Sequence, residues 1–388
     1  MPPSLPREVI DMIFDDPVLD TSDAALARCC RVSKARRDQF RPRLYRTIRV
    51  NLERMAEALV DLNPATPWRL IYDRRSRKCL ATLQQHSNLR SLVQNLYLDV
   101  SEPREGDPDP QMFTTLDAAL ATILRCCPNA NSLFLPPVAP DTSCRPMLDP
   151  VFDRPYQRVD LVTDESAAWY LLHLHQETLK EVSFSSFFEG LIPPPLTTMS
   201  YSGLRLQSLR LPNIDTDAAS VVLRRVALHT LLDPSRPSLT DLELTFDPRI
   251  VPDLADFPSL RNLTFFFENE ISDAATAAPA AIARSPNLRR LHIGGYRDIS
   301  SAHMDVLFGS KKDAVAHHLP LTVTELDLFT NSPNEHHLRN FLQFLPTASA
   351  LRRVIYDRPY HKRTEADRVI ESEFAARGIA LGRYVSAV

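Results

Sequence analysis

One phrase constrains this chain more than any other. It is Leu-x-x-Leu-x-Leu, with Val, Ile, Phe or Tyr allowed at the apolar positions. It stands as Leu206-x-x-Leu209-x-Leu211, Leu239-x-x-Leu242-x-Leu244, Leu260-x-x-Leu263-x-Phe265 and Leu288-x-x-Leu291-x-Ile293. Weaker copies are Leu179-x-x-Val182-x-Phe184, Val323-x-x-Leu326-x-Leu328 and Leu351-x-x-Val354-x-Tyr356, and degenerate ones end at Leu98, Leu135 and Leu161. Nine steps separate Leu98 from Tyr356, about 29 residues each, a period that belongs to stacked repeats. Pro237-Ser238-Leu239, Pro258-Ser259-Leu260 and Pro286-Asn287-Leu288 each lead into a copy. Proline stops the preceding helix, Ser or Asn closes a turn, and Leu opens a strand. Between copies lie helical periods such as Leu116, Leu120, Ile123 and Leu124.

Strand, loop, helix and Pro-turn make one unit, and no such unit can bury its apolar face alone. The predicted class is therefore α/β, an irregular solenoid over residues 51–388 with repeats over about 90–360 and a C-terminal cap over about 361–388. The alternative is a conventional α/β domain with a doubly wound sheet, in which helices and strands also alternate. Steps as unequal as 21 and 37 residues require insertions, the clearest at 101–111, 136–155 and 301–320, while Pro193-Pro194-Pro195 marks a stiff loop. In the cap, an amphipathic helix over 365–377 is predicted to stop at Gly378, with a short strand at Ile379-Ala380-Leu381.

Ahead of the repeats, residues 1–50 read as a separate helical module. Pro6 and Glu8 suit the first turn of a helix. Val9, Ile10, Met12, Ile13 and Phe14 then cover more than one of its faces, so one face requires a partner. A second helix is predicted over 22–31 after the caps offered by 20–23, and a third from Ser33 to about Arg41, where Pro42 should end it. Alternation from Leu44 to Val50 predicts a strand. Nine basic residues lie between Arg28 and Arg49, against Asp38 alone. Their first reading is a solvated helix face, their second complementarity to an acidic partner, and their last nucleic acid.

Three blocks of this module carry a resemblance. Leu5-Pro-x-Glu8-Val9-Ile10-x-x-Ile13-Phe14, then Leu26-x-x-Cys29-Cys30-x-Val32-Ser33-Lys34, then Pro42-x-Leu44-Tyr45-Arg46 resemble an F-box of the fungal type. The downstream array resembles the divergent leucine-rich repeats of fungal F-box proteins. The resemblance implies an N-terminal three-helix F-box that binds the Skp-type adaptor of a cullin–RING ubiquitin ligase. Leu5, Pro6, Val9, Ile10, Ile13 and Phe14 would lie at or beside that contact, joined by Leu26 and Val32. One departure stands at Arg36, where the family usually has Trp or Phe; Phe40, one turn later, is placed to fill that space.

The chain has 388 residues, 44% of them apolar, and a net charge of −3, which gives no global case for nucleic acid or an anionic membrane. With only 8 glycines it is poorly suited to phosphate-cradling loops. The six cysteines read as reduced thiols, with Cys126 and Cys127 in the core. No apolar run reaches the ~20 residues of a membrane span. No leader is expected at the N-terminus. The expected location is the cytoplasm, the nucleus or both, with Lys34-Ala35-Arg36-Arg37 and residues 74–78 as possible import signals. His317-His318 and His336-His337 are adjacent pairs, poor for chelation, and read as solvated surface histidines. No nucleotide, hydrolase or metalloprotease motif occurs, so no cofactor, no metal and no catalytic residue is assigned.

The expected function is thus a non-catalytic substrate receptor, holding a target protein on the repeat array. Its rivals are a repeat scaffold or inhibitor unconnected to ubiquitin, and an α/β enzyme with an unrecognised site. Residues between the motif leucines face away from the core, which nominates Arg210, Glu243, Thr264, His292 and Asp327 for target binding. An aromatic row just past the strands, Phe187, Phe188, Phe246, Phe266, Phe267, Tyr296 and Phe329, is read first as loop packing and second as a recognition ridge.

Overall fold

The computed structural model describes residues 27, 30–31, 34–54, 70–101, 116–135, 155–161, 165–184, 200–211, 221–247, 249–267, 272–295, 315–328, 335–357 and 365–384. The expected first helix, with Leu5, Pro6, Val9, Ile10, Ile13 and Phe14, lies outside the described residues, as do Leu26 and Val32. The chain divides into two compact units, Met1–Val159 and Asp160–Val388. Both are mixed α/β, with helices and strands alternating along the chain.

In the first unit, helix α1 (Lys34–Arg46) runs directly into strand β1 (Thr47–Arg54). The helix does not stop at Arg41 but carries Pro42 inside it, so the strand starts three residues later than its alternation predicted. Phe40, fully buried, and Leu44, one turn on, pack together with Cys30, and that apolar face holds the helix through the proline. The donor lost at Pro42 faces the Asp38 carbonyl, on an exposed residue where water can replace it. Within β1, Ile48, Val50 and Leu52 are buried. It pairs antiparallel with β2 (Leu70–Tyr72) and parallel with β3 (Asn95–Ser101), which pairs parallel with β4 (Ser132–Leu135).

Helix α2 (Arg74–Gln85) is capped by Asp73, whose Oδ1 accepts from the Ser76 amide at 2.6 Å. The buried Ser76 hydroxyl in turn accepts from the Asn51 amide at 2.8 Å, tying α2 to β1. The basic cluster at 74–78 is therefore the first turn and a half of a helix. Arg90, in the short helix α3 (Ser87–Arg90), donates from Nε to the Leu83 carbonyl at 2.7 Å and so satisfies a carbonyl left open at the end of α2. Helix α4 (Leu116–Cys126) buries Leu120, Ile123 and Leu124, one face of the predicted period, and Cys126 and Cys127 are buried as well. Strand β5 (Arg158–Leu161) spans the division between the units.

The second unit continues as helix α5 (Glu165–Leu174), β6 (Glu181–Phe184), β7 (Ser208–Leu211), α6 (Val221–Leu232), β8 (Asp241–Thr245), β9 (Asn262–Phe267), α7 (Ser272–Ala283), β10 (Arg290–Gly295), α8 (Val315–His318), β11 (Glu325–Leu328), α9 (Glu335–Phe344), β12 (Arg353–Asp357), α10 (Glu365–Ala376) and β13 (Ala380–Tyr384). From β6 to β13 each strand pairs, parallel, with the one before it in the chain. Strand order never reverses there, as it does in a doubly wound sheet.

Register turns the repeated phrase into continuous apolar ladders. Val182, Leu209, Leu242, Leu263, Leu291, Leu326 and Val354 stand opposite one another across successive strands. Leu211, Leu244, Phe265 and Ile293 form a second ladder two residues on, and all eleven are buried. A backbone device repeats with them: the carbonyls of Lys180, Gln207, Thr240, Arg261, Arg289 and Thr324 each accept two amides from the start of the next strand. The residues after the prolines also reach back one unit. Ser259 Oγ donates to the Pro237 carbonyl at 2.7 Å, Asn287 Nδ2 to Pro258 at 2.7 Å and Thr322 Oγ1 to Pro286 at 3.3 Å. The shortest step has no helix between β8 and β9, only the 3₁₀ turn Leu254–Asp256 capped by Asp253.

Helices α7, α8, α9 and α10 contact one another in succession. They bury Ile282, Val315, Phe341 and Phe374 among others, so their layer closes the apolar side of the strands. Helix α10 ends as predicted at Gly378, whose φ of 74° is a left-handed conformation open to glycine but strained for other residues. Gly378→Ala should cost about 1 kcal/mol in urea denaturation, and no loss would show that the turn can relax.

His175, buried where α5 turns into the motif at Leu179, has its pKa lowered by desolvation. The unfolded chain therefore takes up this proton first. The stability contributed by neutral His175 is complete above the ordinary value of 6.5 and is lost as pH falls below it. The urea midpoint should drop between pH 7 and pH 5.5, and His175→Leu should flatten that slope; an unchanged slope would remove His175 from the account.

Candidate functional site

Successive residues of a strand point to opposite faces of its sheet. In the second unit one face carries the apolar ladders. On the other, register places Arg210 opposite Glu243, Glu243 opposite Thr264, Thr264 opposite His292 and His292 opposite Asp327. The five strand residues nominated from sequence are thus a single row across five neighbouring strands, continued by Ile355 and Gly382.

The row pairs its charges across strands. Arg210 Nε lies 3.7 Å from Glu243 Oε2, and His292 Nδ1 lies 3.3 Å from Asp327 Oδ2. Two residues toward the strand starts a parallel row does the same. Asn262 Nδ2 donates to Asp241 Oδ1 at 2.5 Å, and Arg290 Nε lies 3.1 Å from Glu325 Oε2. Cross-strand pairs of this kind contribute roughly 0.2–1 kcal/mol each. The face is polar, mixed in sign and largely self-matched, and what it offers a ligand is hydrogen bonding and ion pairing.

The aromatic row divides. Phe246 and Phe267 are buried, their rings 5.7 Å apart, with Phe246 also 4.7 Å from Phe265; these belong to the interior. Phe266 points the other way, half-buried, its ring 6.0 Å from His292 and directly beside Gly294, where an added Cβ would meet it at 3.1 Å. Phe187, Phe188, Tyr296 and Phe329 lie outside the described residues.

The first unit carries a feature the sequence reading missed. Arg49 stands opposite Tyr97, and Tyr97 opposite Phe134. The two rings stack at 3.7 Å and 6°, with Arg49 5.4 Å above the Tyr97 centroid and Arg158 5.1 Å from that of Phe134. Their signal was present, since Tyr97 and Phe134 occupy the middle position of two degenerate copies, Leu96-Tyr97-Leu98 and Leu133-Phe134-Leu135. It is the position that Arg210 and Glu243 hold in theirs.

Other titratable groups brace the turns. Desolvation pushes Asp233 up, but hydrogen bonds from Arg236 and His229 outweigh it and hold the carboxyl below its ordinary range. Arg236 also reaches Asp256 at 2.6 Å, and Arg284 reaches Asp253 at 2.9 Å, so these pairs join neighbouring repeats. Burial pushes the hydroxyls of Tyr72 and Tyr201 up to about 12; they donate to the carbonyls of Ala119 and Trp169. His337 is buried in α9 and not on the surface as its pairing with His336 suggested, while His336 Nε2 lies 3.0 Å from Asn340 Nδ2. Among the described residues no group of three His, Cys, Asp or Glu side chains could hold a metal ion, and no helix is long and apolar enough to cross a membrane. No family model matches the chain, and no curated protein matches it.

Proposed function

We propose that this chain is a substrate-recognition subunit of a Skp–cullin–F-box ubiquitin ligase, built from an N-terminal F-box and divergent leucine-rich repeats. The observation that carries the reading is the order and content of the three N-terminal blocks, from Leu5 to Phe14, Leu26 to Lys34 and Pro42 to Arg46, followed at once by a repeat array. The array is supported by the ladders, by parallel strands that pair in chain order and by the backbone device that recurs at each strand start. The third-helix block is supported by Phe40, which is buried one turn beyond Arg36 where the family places an aromatic.

In this role no residue of the chain reacts. The N-terminal module holds the adaptor, the repeats hold a target protein, and proximity raises the effective concentration of a target lysine beside the ubiquitin-charged enzyme. The polar row from Arg210 to Asp327, with Phe266 at its margin, is the surface assigned to the target. Co-expression with a Skp-type adaptor tests the reading: a stable complex is expected, and a chain that purifies without the adaptor contradicts it.

A further inference from the structure

The residue just ahead of each strand in the second unit holds the doubly accepting carbonyl, so its backbone is fixed while its side chain is left at the edge of the sheet. In chain order these residues are Lys180, Gln207, Thr240, Arg261, Arg289 and Thr324, and Arg352 holds the same place ahead of β12 with a carbonyl that accepts the Ala380 amide. Four are cationic and none is acidic. Among the described residues none of the four has an ion-pair partner. The carboxylates that open β8 and β11 are committed elsewhere, Asp241 to Asn262 and Thr240, and Glu325 to Arg290. Arg261 and Arg289, both exposed and just ahead of the adjacent strands β9 and β10, line a groove of about 500 Å³ with Ser259, Asn287, Thr322 and Thr324. Among the described residues its lining holds two cations, four hydroxyl or amide side chains and no carboxylate.

We propose that this strand-start edge, centred on Arg261 and Arg289, is a docking groove for an extended, Asp- and Glu-rich segment of a partner protein. Charge complementarity names the occupant, because two neighbouring guanidinium groups with no counter-charge among the described residues leave a local excess in a chain whose net charge is −3. Dimensions agree. Strands lie about 4.8 Å apart, so Arg261 to Arg352 spans about 14 Å, the length of four extended residues. The Ser259, Thr322 and Thr324 hydroxyls and the Asn287 amide already donate to backbone carbonyls, so what they offer the segment is oxygens that accept from its backbone N–H groups. Among the described residues no aromatic side chain lines the groove to stack a base, which favours a peptide over single-stranded nucleic acid.

The groove is a different surface from the polar row, which neutralises its own charges. It takes from the ligase reading only that the repeats capture a protein, and its test omits the adaptor, so either idea can fail alone. The full chain is titrated at low salt against a fluorescein-labelled peptide of about eight Asp and Glu residues, read by fluorescence polarisation. Arg261→Ala with Arg289→Ala should weaken binding at least about tenfold and leave the thermal midpoint unchanged, since both side chains are exposed. Arg261→Lys with Arg289→Lys should retain most of the affinity, and Arg125→Ala, at an exposed arginine of the first unit, should leave it unchanged. The proposal is overturned by absent binding, by binding that survives the alanine pair, or by tighter binding of a charge-matched oligouridylate or a singly phosphorylated peptide. Should the alanine pair melt early, the lysine pair and the loss of binding at high salt decide the matter.

Discussion

Leu263→Ala lowers the stability of the second unit by about 3 kcal/mol, the largest loss expected from truncating one strand residue. Leu263 is 1% exposed and stands between Leu242 and Leu291 in the longer ladder. Truncation removes buried methyl and methylene groups and leaves a cavity that fixed parallel strands on both sides cannot close. Each unit of a stacked array is stabilised by its neighbours, so weakening β9 also weakens what β8 and β10 rest upon. Thr264→Ala, one residue along and on the opposite face, should change stability by less than about 0.5 kcal/mol. Urea denaturation followed by circular dichroism reads both. Equal effects from the two variants would mean that the apolar ladder is not what holds this unit together.

The contrast between Leu263 and Thr264 also shows how the sequence could be read. Period-two alternation inside Leu-x-x-Leu-x-Leu carries burial directly, because only one face of each strand is covered. Each motif leucine could therefore be placed in the core, and Arg210, Glu243, Thr264, His292 and Asp327 on the other face, before any coordinates. Two further features were less legible because they depend on pairs distant in the chain. Phe267 looked like a loop aromatic, yet β9 runs two residues farther than its motif, and the same alternation then turns Phe267 inward. The Tyr97–Phe134 stack needs the register of β3 against β4, which no local pattern supplies.

At Pro42 the local rule was outweighed by tertiary packing. A proline inside a helix removes one hydrogen bond, while the packing of Phe40 with Leu44 and Cys30 rewards continuation through Arg46. The basic edge at Arg261 and Arg289 was hidden for a different reason. Ahead of a strand, the side chain of the first x residue has no fixed direction until the doubly accepting carbonyl sets it.

Under the proposed ligase role, binding to the adaptor carries the other large effect. The sequence pattern of Leu5, Val9, Ile10, Ile13 and Phe14 is that of a short helix apolar on more than one face, and in the proposed complex a charge introduced on the partner-facing side would be desolvated without a counter-charge. Such a substitution at the centre of an apolar interface costs at least about 3 kcal/mol, more than a hundredfold in affinity. Leu5→Asp and Ile13→Asp should each break the complex, while Arg261→Ala with Arg289→Ala should leave it intact because those residues belong to the repeats.

The most direct measurement is therefore size-exclusion chromatography of the full chain co-expressed with a Skp-type adaptor, alongside its Ile13→Asp variant. The account predicts co-elution of chain and adaptor in equal amounts, and separate elution for the variant at an unchanged circular dichroism spectrum. Separate elution of the unaltered chain, or co-elution that Ile13→Asp does not disturb, would contradict it.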